Sequence, residues 1–270
     1  MRGFICPVCR FPLETDGRTY KCKNNHSFDI SKFGYVNLLM SNRSSEKRHG
    51  DDRLMIRSRR DFLSKGYYSF LLRELCLICD KYLKPGAALL DAGCGECYYS
   101  SGILEKNPGY EMSGVDISKD ALEFAHKRGV GFPLAVASLF SLPYSDGDFD
   151  CVLNCFSPKA EEEFARVLKP DGILIRVVPL EEHLFSLKAA VYDKPYLNEH
   201  PEADVNGFTL KEYREIRSEL VFDNSEDILN LFRMTPYYYK TGREDQQKLE
   251  GLTEFTTCAA FGIQVYGKDE

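Results

Sequence analysis

Two hydrophobic periods alternate along the middle of the chain. Apolar positions at helical spacing run from Tyr67 to Tyr82. Ala88-Leu89-Leu90 then predicts a short buried strand. A helix over Tyr98 to Leu104, a strand over Met112 to Val115 and a helix over Lys119 to Lys127 follow. Next come strands at Phe132 to Ala137 and Phe149 to Asn154, a helix over Lys159 to Leu168, and a strand over Ile173 to Val178. The turn Lys169-Pro170-Asp171-Gly172 leads into that last strand. Strand–helix alternation of this kind demands an α/β fold with a mostly parallel sheet. Beyond it lie long segments at Tyr213 to Phe222 and Phe255 to Tyr266, with a helical stretch near Ile228 to Leu231.

The first forty residues read differently. Phe11 to Tyr20 contains Asp16-Gly17, a hairpin-turn signal. Phe28-Asp29-Ile30 and Gly34-Tyr35-Val36-Asn37-Leu38-Leu39 read as extended chain closing a small module. Residues 41–53 are polar and charged, as in a mobile linker or a loop ordered by RNA. A helix from near Leu54 carries Arg57, Arg59 and Arg60 over more than one face. Those cations can grip phosphates or simply be solvated. The expected units are therefore 1–40, a linker and basic helix at 41–66, and a large domain at 67–270.

Composition sets limits. With 270 residues, 43% of them hydrophobic, the chain can hold one domain of about 200 residues and a small appendage. No run of apolar residues is long enough for a transmembrane helix, and the N-terminus lacks the apolar core of a secretory signal. Ten cysteines in that context point to reduced thiols in the cytoplasm. The net charge of -6 conceals an asymmetry. Residues 1–66 carry 14 Lys+Arg against 7 Asp+Glu, and the rest carry 21 against 34. A basic head on an acidic body can meet a polyanion.

Cys6-Pro7-Val8-Cys9 and Cys22-Lys23-Asn24-Asn25-His26 have the spacing C-x2-C-x12-C-x3-H. Two close pairs of soft or borderline ligands suit tetrahedral zinc. A unit so short and so poor in apolar residues needs such a staple. With Cys6, Cys9, Cys22 and His26 all engaged, no coordination position remains for substrate, so the metal is structural. Cys76 and Cys79 also lie close together, but within an apolar stripe and with no strand before them, so core packing is the stronger reading.

Ala88-Leu89-Leu90 runs into Asp91-Ala92-Gly93-Cys94-Gly95-Glu96-Cys97. A strand ending in a Gly-rich turn lets the backbone approach a ligand at the sheet edge. A dinucleotide site is one reading. Against it, the acid Asp91 precedes the glycines and Cys97 stands where a third glycine is expected. The second strand ends in Asp116, which can accept from both ribose hydroxyls, while Ser118 is the better cap for the next helix.

Asp91-x-Gly93-x-Gly95 resembles the first motif of the class I S-adenosylmethionine-dependent methyltransferases. That resemblance implies a Rossmann-like, seven-stranded, mostly parallel sheet. The segments at 213–222 and 255–266 would be its antiparallel sixth and seventh strands. The adenine would lie against the turn after the third strand, at Ser138. Nearly the whole chain resembles the bacterial 23S rRNA (guanine-N1)-methyltransferases. The residues that carry this include Cys6-Pro7-x-Cys9, Cys22-x-x-x-His26-x-Phe28-Asp29, Arg59-Arg60-x-Phe62-Leu63-x-x-Gly66-x-Tyr68, Asp91-x-Gly93-Cys94-Gly95-Glu96-x-Tyr98-Tyr99, Pro179-x-x-x-His183-Leu184, Gly207-Phe208-Thr209-Leu210 and Met234-Thr235-Pro236. The resemblance implies methylation of N1 of one guanine in a domain II hairpin loop of 23S rRNA. It implies zinc on Cys6, Cys9, Cys22 and His26, cofactor contacts at Tyr68, Gly95, Glu96 and His183, and a homodimer with a basic cleft. A side chain at Cys97 is expected to crowd the methionine end of the cofactor.

A splayed-out guanine would be read on its Watson–Crick edge and stacked on Phe156, Tyr98 or Tyr99. Neutral N1 carries a proton, so a base must remove it or the O6 enolate must be stabilised. Asn154, Ser157 and Lys159, where the loop after the fourth strand begins, are the expected contacts, with the backbone or Asn154 on the base and Lys159 near O6. The main rival is a small-molecule methyltransferase whose zinc module mediates only dimerisation; deleting residues 1–40 would abolish activity on RNA alone. A second rival is a non-catalytic regulator that binds nucleic acid and senses the cofactor.

Overall fold

In the computed structural model, residues 3–40 and 51–269 are described. Most of the linker expected at 41–53 lies outside the described residues.

Three short strands form a small antiparallel sheet: β1 (Glu14–Thr15), β2 (Thr19–Lys21) and β3 (Ser27–Asp29). The Asp16-Gly17 turn joins the first two, with Asp16 Oδ1 accepting from the amides of Arg18 and Thr19 at 2.9 and 2.8 Å. Next come β4 (Tyr35–Asn37), α1 (Arg53–Ser64), α2 (Ser69–Tyr82), β5 (Ala88–Ala92), α3 (Tyr98–Lys106), β6 (Glu111–Asp116), α4 (Lys119–Arg128), β7 (Leu134–Val136), β8 (Phe149–Cys155), α5 (Glu161–Val167) and β9 (Leu168–Pro179). The C-terminal part adds α6 (Phe185–Val191), β10 (Phe208–Phe222), α7 (Ser225–Arg233), α8 (Tyr237–Lys240), α9 (Arg243–Glu250) and β11 (Phe255–Lys268).

The large sheet has eight strands in the order β10-β11-β9-β8-β5-β6-β7-β4. The strands β4 to β9 run parallel to one another, while β11 is antiparallel to both β9 and β10. The central strands are apolar because both faces are covered: Ala88, Leu89, Leu90 and Ala92 are all fully buried. Each buried leucine contributes roughly 1.5–3 kcal/mol.

The eighth strand is the departure from the expected seven. β4, read as closing the small module, pairs in parallel with β7, Tyr35 opposite Leu134 and Asn37 opposite Val136. The module has too little apolar material for a core of its own and shares one. Phe4, Leu13, Val36 and Leu38 cluster with Leu90, Val115 and Tyr144, and the Ile5 amide donates to the Pro143 carbonyl at 2.9 Å. Deleting residues 1–40 would therefore strip the sheet of a strand, and is no clean test of RNA binding.

The turn expected at Lys169–Gly172 is a bulge inside β9: Leu168 faces Phe149, but Ile173 is the next partner, opposite Cys151. Lys169 bonds across it to Asp150 at 2.7 and 2.8 Å. Cys79 is fully buried and Cys76 partly so, packed in the core with no disulfide.

Candidate functional site

The metal centre is built by two tight turns. Arg10 N donates to Cys6 O at 2.8 Å and Asn25 N to Cys22 O at 2.9 Å. Each turn closes on a left-handed residue, Arg10 or Asn25. The turns bring one ligand atom each from Cys6, Cys9, Cys22 and His26 within 4.8 Å of one another. His26 Nδ1 lies 3.5 Å from Cys6 Sγ and 3.4 Å from Cys22 Sγ, and the Cys9 and Cys22 sulfurs are 3.6 Å apart. Tetrahedral zinc with the usual Zn–S and Zn–N lengths requires such separations to be about 3.5–3.8 Å. The donor set fits the ion.

The second site is a cavity of about 710 Å³ at the C-terminal ends of the parallel strands. Of the residues expected there, Tyr68, Asp91, Gly93, Gly95, Glu96, Asp116, Ser138 and His183 all line it. β5 delivers Asp91, and the amides of Gly93 and Cys94 then bond the Val115 carbonyl at 2.8 and 3.0 Å. Asp116 at the tip of β6 accepts from Gly95 N and from Ser118 N, each at 2.8 Å. Its carboxylate is thereby fixed, with lone pairs left for a ligand. Ser118 caps α4 by accepting from Ala121 N, which leaves Asp116 to the cavity. The Ser138 hydroxyl caps the short turn Leu139–Ser141 through Phe140 N at 3.2 Å.

The cavity asks for a polar ligand. Tyr68 Oη, Tyr99 Oη and Glu96 Oε1 are buried with no hydrogen-bond partner among the described residues. Such atoms in a lined cavity signal a missing donor or acceptor. A Cβ built on Gly95 meets nothing within 4 Å, so the space beside that glycine is ligand space. These features fit a nucleoside cofactor with an amino-acid end.

Burial pushes the Asp91 carboxyl up to about 7, with the nearby Ser100 hydroxyl opposing the shift and the Asp116 charge adding to it. His183 is 8% exposed and its Nδ1 accepts from Ala260 N at 3.2 Å, so the ring proton sits on Nε2. Burial, then the Lys188 charge, lowers its pKa to about 3. It is a neutral donor.

An aromatic wall closes the other end. Tyr98, Tyr99, Phe156 and Phe261 line it, with Phe156 5.1 Å from Phe261 and 6.3 Å from Tyr99. Phe156 has a left-handed backbone at φ 55° and is 45% exposed, so its ring stands at the cavity mouth. Met234, Thr235, Pro236 and Tyr237 complete this wall. Sequence reasoning did not anticipate Phe261, whose apolar strand position reads the same as a core residue. Of the basic-helix cations, Arg59 alone lines the cavity, tied to Asp51 at 2.6 Å.

For Asn154, Lys159, Ser157 and Cys97 the geometry differs from expectation. Asn154 does not line the cavity: its Nδ2 is spent on Ala92 O, Ser157 Oγ and Pro158 O at 3.2, 2.6 and 3.2 Å. Lys159 points away, to Asp204 O at 3.1 Å and Glu161 at 2.8 Å. The acids around it attract it more than an apolar cavity would. Ser157 does line the cavity, but its hydroxyl donates to Ala92 O at 2.8 Å. Cys97 does not line the cavity: in a left-handed conformation its side chain packs behind the turn with Leu122, Ala125 and Val136.

Strand order, a Gly-rich turn after the first parallel core strand, an acid at the next strand tip and a Cys/His tetrad define a class I S-adenosylmethionine-dependent methyltransferase with a structural zinc. The family model described as "RlmA, N-terminal" matches residues 4–46, and one described as "Methyltransferase domain" matches residues 83–241. A 23S rRNA (guanine(748)-N(1))-methyltransferase of Streptomyces fradiae is 34% identical over 71% of this chain and 68% of its own length. A putative 23S rRNA (guanine-N(1)-)-methyltransferase of Bacillus subtilis is 30% identical over 89% of this chain and 88% of its own. The chain belongs to the 23S rRNA (guanine-N1)-methyltransferase family. No helix among the described residues is long and apolar enough to cross a membrane.

Proposed function

We propose that this enzyme methylates N1 of a guanine in a domain II hairpin loop of 23S rRNA. The observation that carries the reading is one continuous cavity with two chemically different ends. Acids and glycine backbone line the end near Asp116, and rings and apolar groups line the end near Phe156. Its volume falls within the range of small-molecule sites, about 300–1,000 Å³. An extruded base needs a slot of stacking surface beside the methyl donor.

In this reading Tyr68, Asp91, Gly93, Gly95, Glu96, Asp116, Ser138 and His183 hold the cofactor. Bound S-adenosylmethionine supplies an electrophilic methyl group. Phe156 and its neighbours stack the base and align N1 with that group, and alignment of this kind supplies much of the rate. Ser157 and Asn154 act on the shape of the loop after β8, and Lys159 is left out of the chemistry. Arg59 at the cavity and the basic module of residues 1–40 position RNA phosphates, with the helix in 41–66 joining that module to the methyltransferase unit of 67–270. The enzyme works in the cytoplasm as a homodimer.

The test is methyl transfer to unmodified 23S rRNA, mapped by primer extension. N1-methylguanine blocks the pairing edge, so one enzyme-dependent stop in the domain II hairpin is expected. With cofactor binding verified, no stop anywhere in the RNA would overturn the reading and favour a small-molecule substrate. The same enzyme in sedimentation analysis should run as two chains.

A further inference from the structure

Glu96 and Arg128 form an ion pair that the assigned cofactor residues do not explain. Glu96 is 2% exposed and lines the cavity on the turn between β5 and α3. Arg128 is the last residue of α4 and does not line the cavity. Its Nε donates to Glu96 Oε2 at 2.7 Å; its Nη2 lies 2.5 Å from the same oxygen but makes no hydrogen bond and is itself buried without a partner among the described residues. The guanidinium also packs over the Tyr98 ring, 5.3 Å from its centroid. The other carboxylate oxygen, Oε1, is buried with no partner among the described residues.

This division of labour is specific. A carboxylate held by one oxygen from behind has a fixed direction for the other. A buried anionic oxygen with no donor carries a large desolvation cost. Burial pushes the Glu96 carboxyl up, and Arg128 is the first of the cations that oppose this, ahead of Arg59 and Arg60. What the free oxygen requires is a donor, preferably cationic. S-adenosylmethionine offers ribose hydroxyls, a neutral adenine amine and an α-ammonium group. Asp116 has the diol, and Ser138 lies at the adenine turn. The ammonium remains.

We propose that Arg128 is a positioning residue: it pins Glu96 Oε2 so that Oε1 accepts from the α-ammonium of the cofactor's methionine end. The proposal rests on the reading that Glu96 faces the cofactor. Arg128 touches no reacting group itself.

The experiment compares two ligands by calorimetry on the full-length zinc-loaded enzyme. One is S-adenosylhomocysteine, and the other is its deaminated analogue, which lacks only the α-amino group. The wild-type enzyme should prefer the amino ligand by at least tenfold. In Arg128→Met that preference should fall to within about threefold, with affinity for the deaminated ligand unchanged. Arg128→Lys, which keeps the charge without the directed Nε bond, should fall between. If Arg128→Met keeps the full preference, or if both variants lose both ligands equally, the proposal is overturned. Glu96→Gln separates the two levels. If it leaves the ligand preference intact, the cofactor reading of Glu96 fails; if it abolishes the preference while Arg128→Met does not, only the role of Arg128 fails.

Discussion

Alanine in place of Gly93 should cost stability, whereas alanine in place of Gly95 should cost cofactor affinity. The two glycines belong to the same turn, and both have positive φ, +88° and +55°. A left-handed conformation costs a side-chain-bearing residue about 1–2 kcal/mol. At Gly93 the added Cβ would also lie 2.4 Å from Ser157 Oγ and 2.5 Å from Ser157 Cβ. Ser157 cannot swing aside, because its hydroxyl is held by Ala92 O at 2.8 Å and by Asn154 Nδ2 at 2.6 Å. Overpacking of this kind costs about 1–3 kcal/mol, and freeing the buried Asn154 amide about 1–3 more. These contributions overlap, so we expect about 3–5 kcal/mol for Gly93→Ala. For a chain of this size that lowers Tm by about 6–10 °C. At Gly95 the Cβ meets nothing, and strain alone lowers Tm by about 2–4 °C. The methyl group would instead occupy ligand space, weakening S-adenosylhomocysteine binding by about tenfold or more. Scanning calorimetry without ligand and titration calorimetry with it read the two effects separately. If Gly93→Ala melts no lower than Gly95→Ala, the tight packing of Ser157 on Gly93 is wrong.

Three further outcomes follow from the geometry. Cys22→Ser should release the zinc and loosen the shared core of residues 3–40, seen as loss of bound metal together with new proteolytic cleavage there; full metal retention would count against the tetrad. Because His183 has a folded pKa of about 3, the unfolded chain binds a proton that the folded chain refuses once pH drops below about 6.5. Stability should thus fall by about 2 kcal/mol between pH 7 and pH 5 through this group, and His183→Gln should flatten that part of the urea-derived stability profile; an imidazole titrating near pH 6.5 in NMR would refute it. Lys159→Met should leave methyl transfer within about twofold, since its ammonium group is engaged with Glu161 and Asp204. A hundredfold loss would return Lys159 to the chemistry.

Much of this protein could be read locally. The metal tetrad lies in two short turns whose geometry depends on neighbours in sequence, so spacing alone identified Cys6, Cys9, Cys22 and His26. The Gly93–Gly95 turn and Asp116 were equally legible, because each sits where a strand must end. Asp16-Gly17 and Ser118 declared a hairpin and a helix cap through their own side chains. Contacts between distant segments were not legible. Tyr35–Asn37 reads as three extended residues, and its place beside β7 is set by the apolar surface that the small module cannot bury by itself. Asn154 near the end of β8 and Lys159 on the loop after it lie where the sequence indicated, yet the carbonyl of Ala92 and the acids Glu161 and Glu202 decide where they point. Phe261 reads as an ordinary core position until the sheet order sets it beside Phe156 and His183. The ion pair of Glu96 with Arg128 spans 32 residues, and nothing near either residue announces it. Local chemistry thus determined the Cys/His tetrad and the Gly-rich turn, because the forces there act over a few residues. Only tertiary structure decided the cavity's second wall and the direction of its polar groups, because burial and long-range pairing set both.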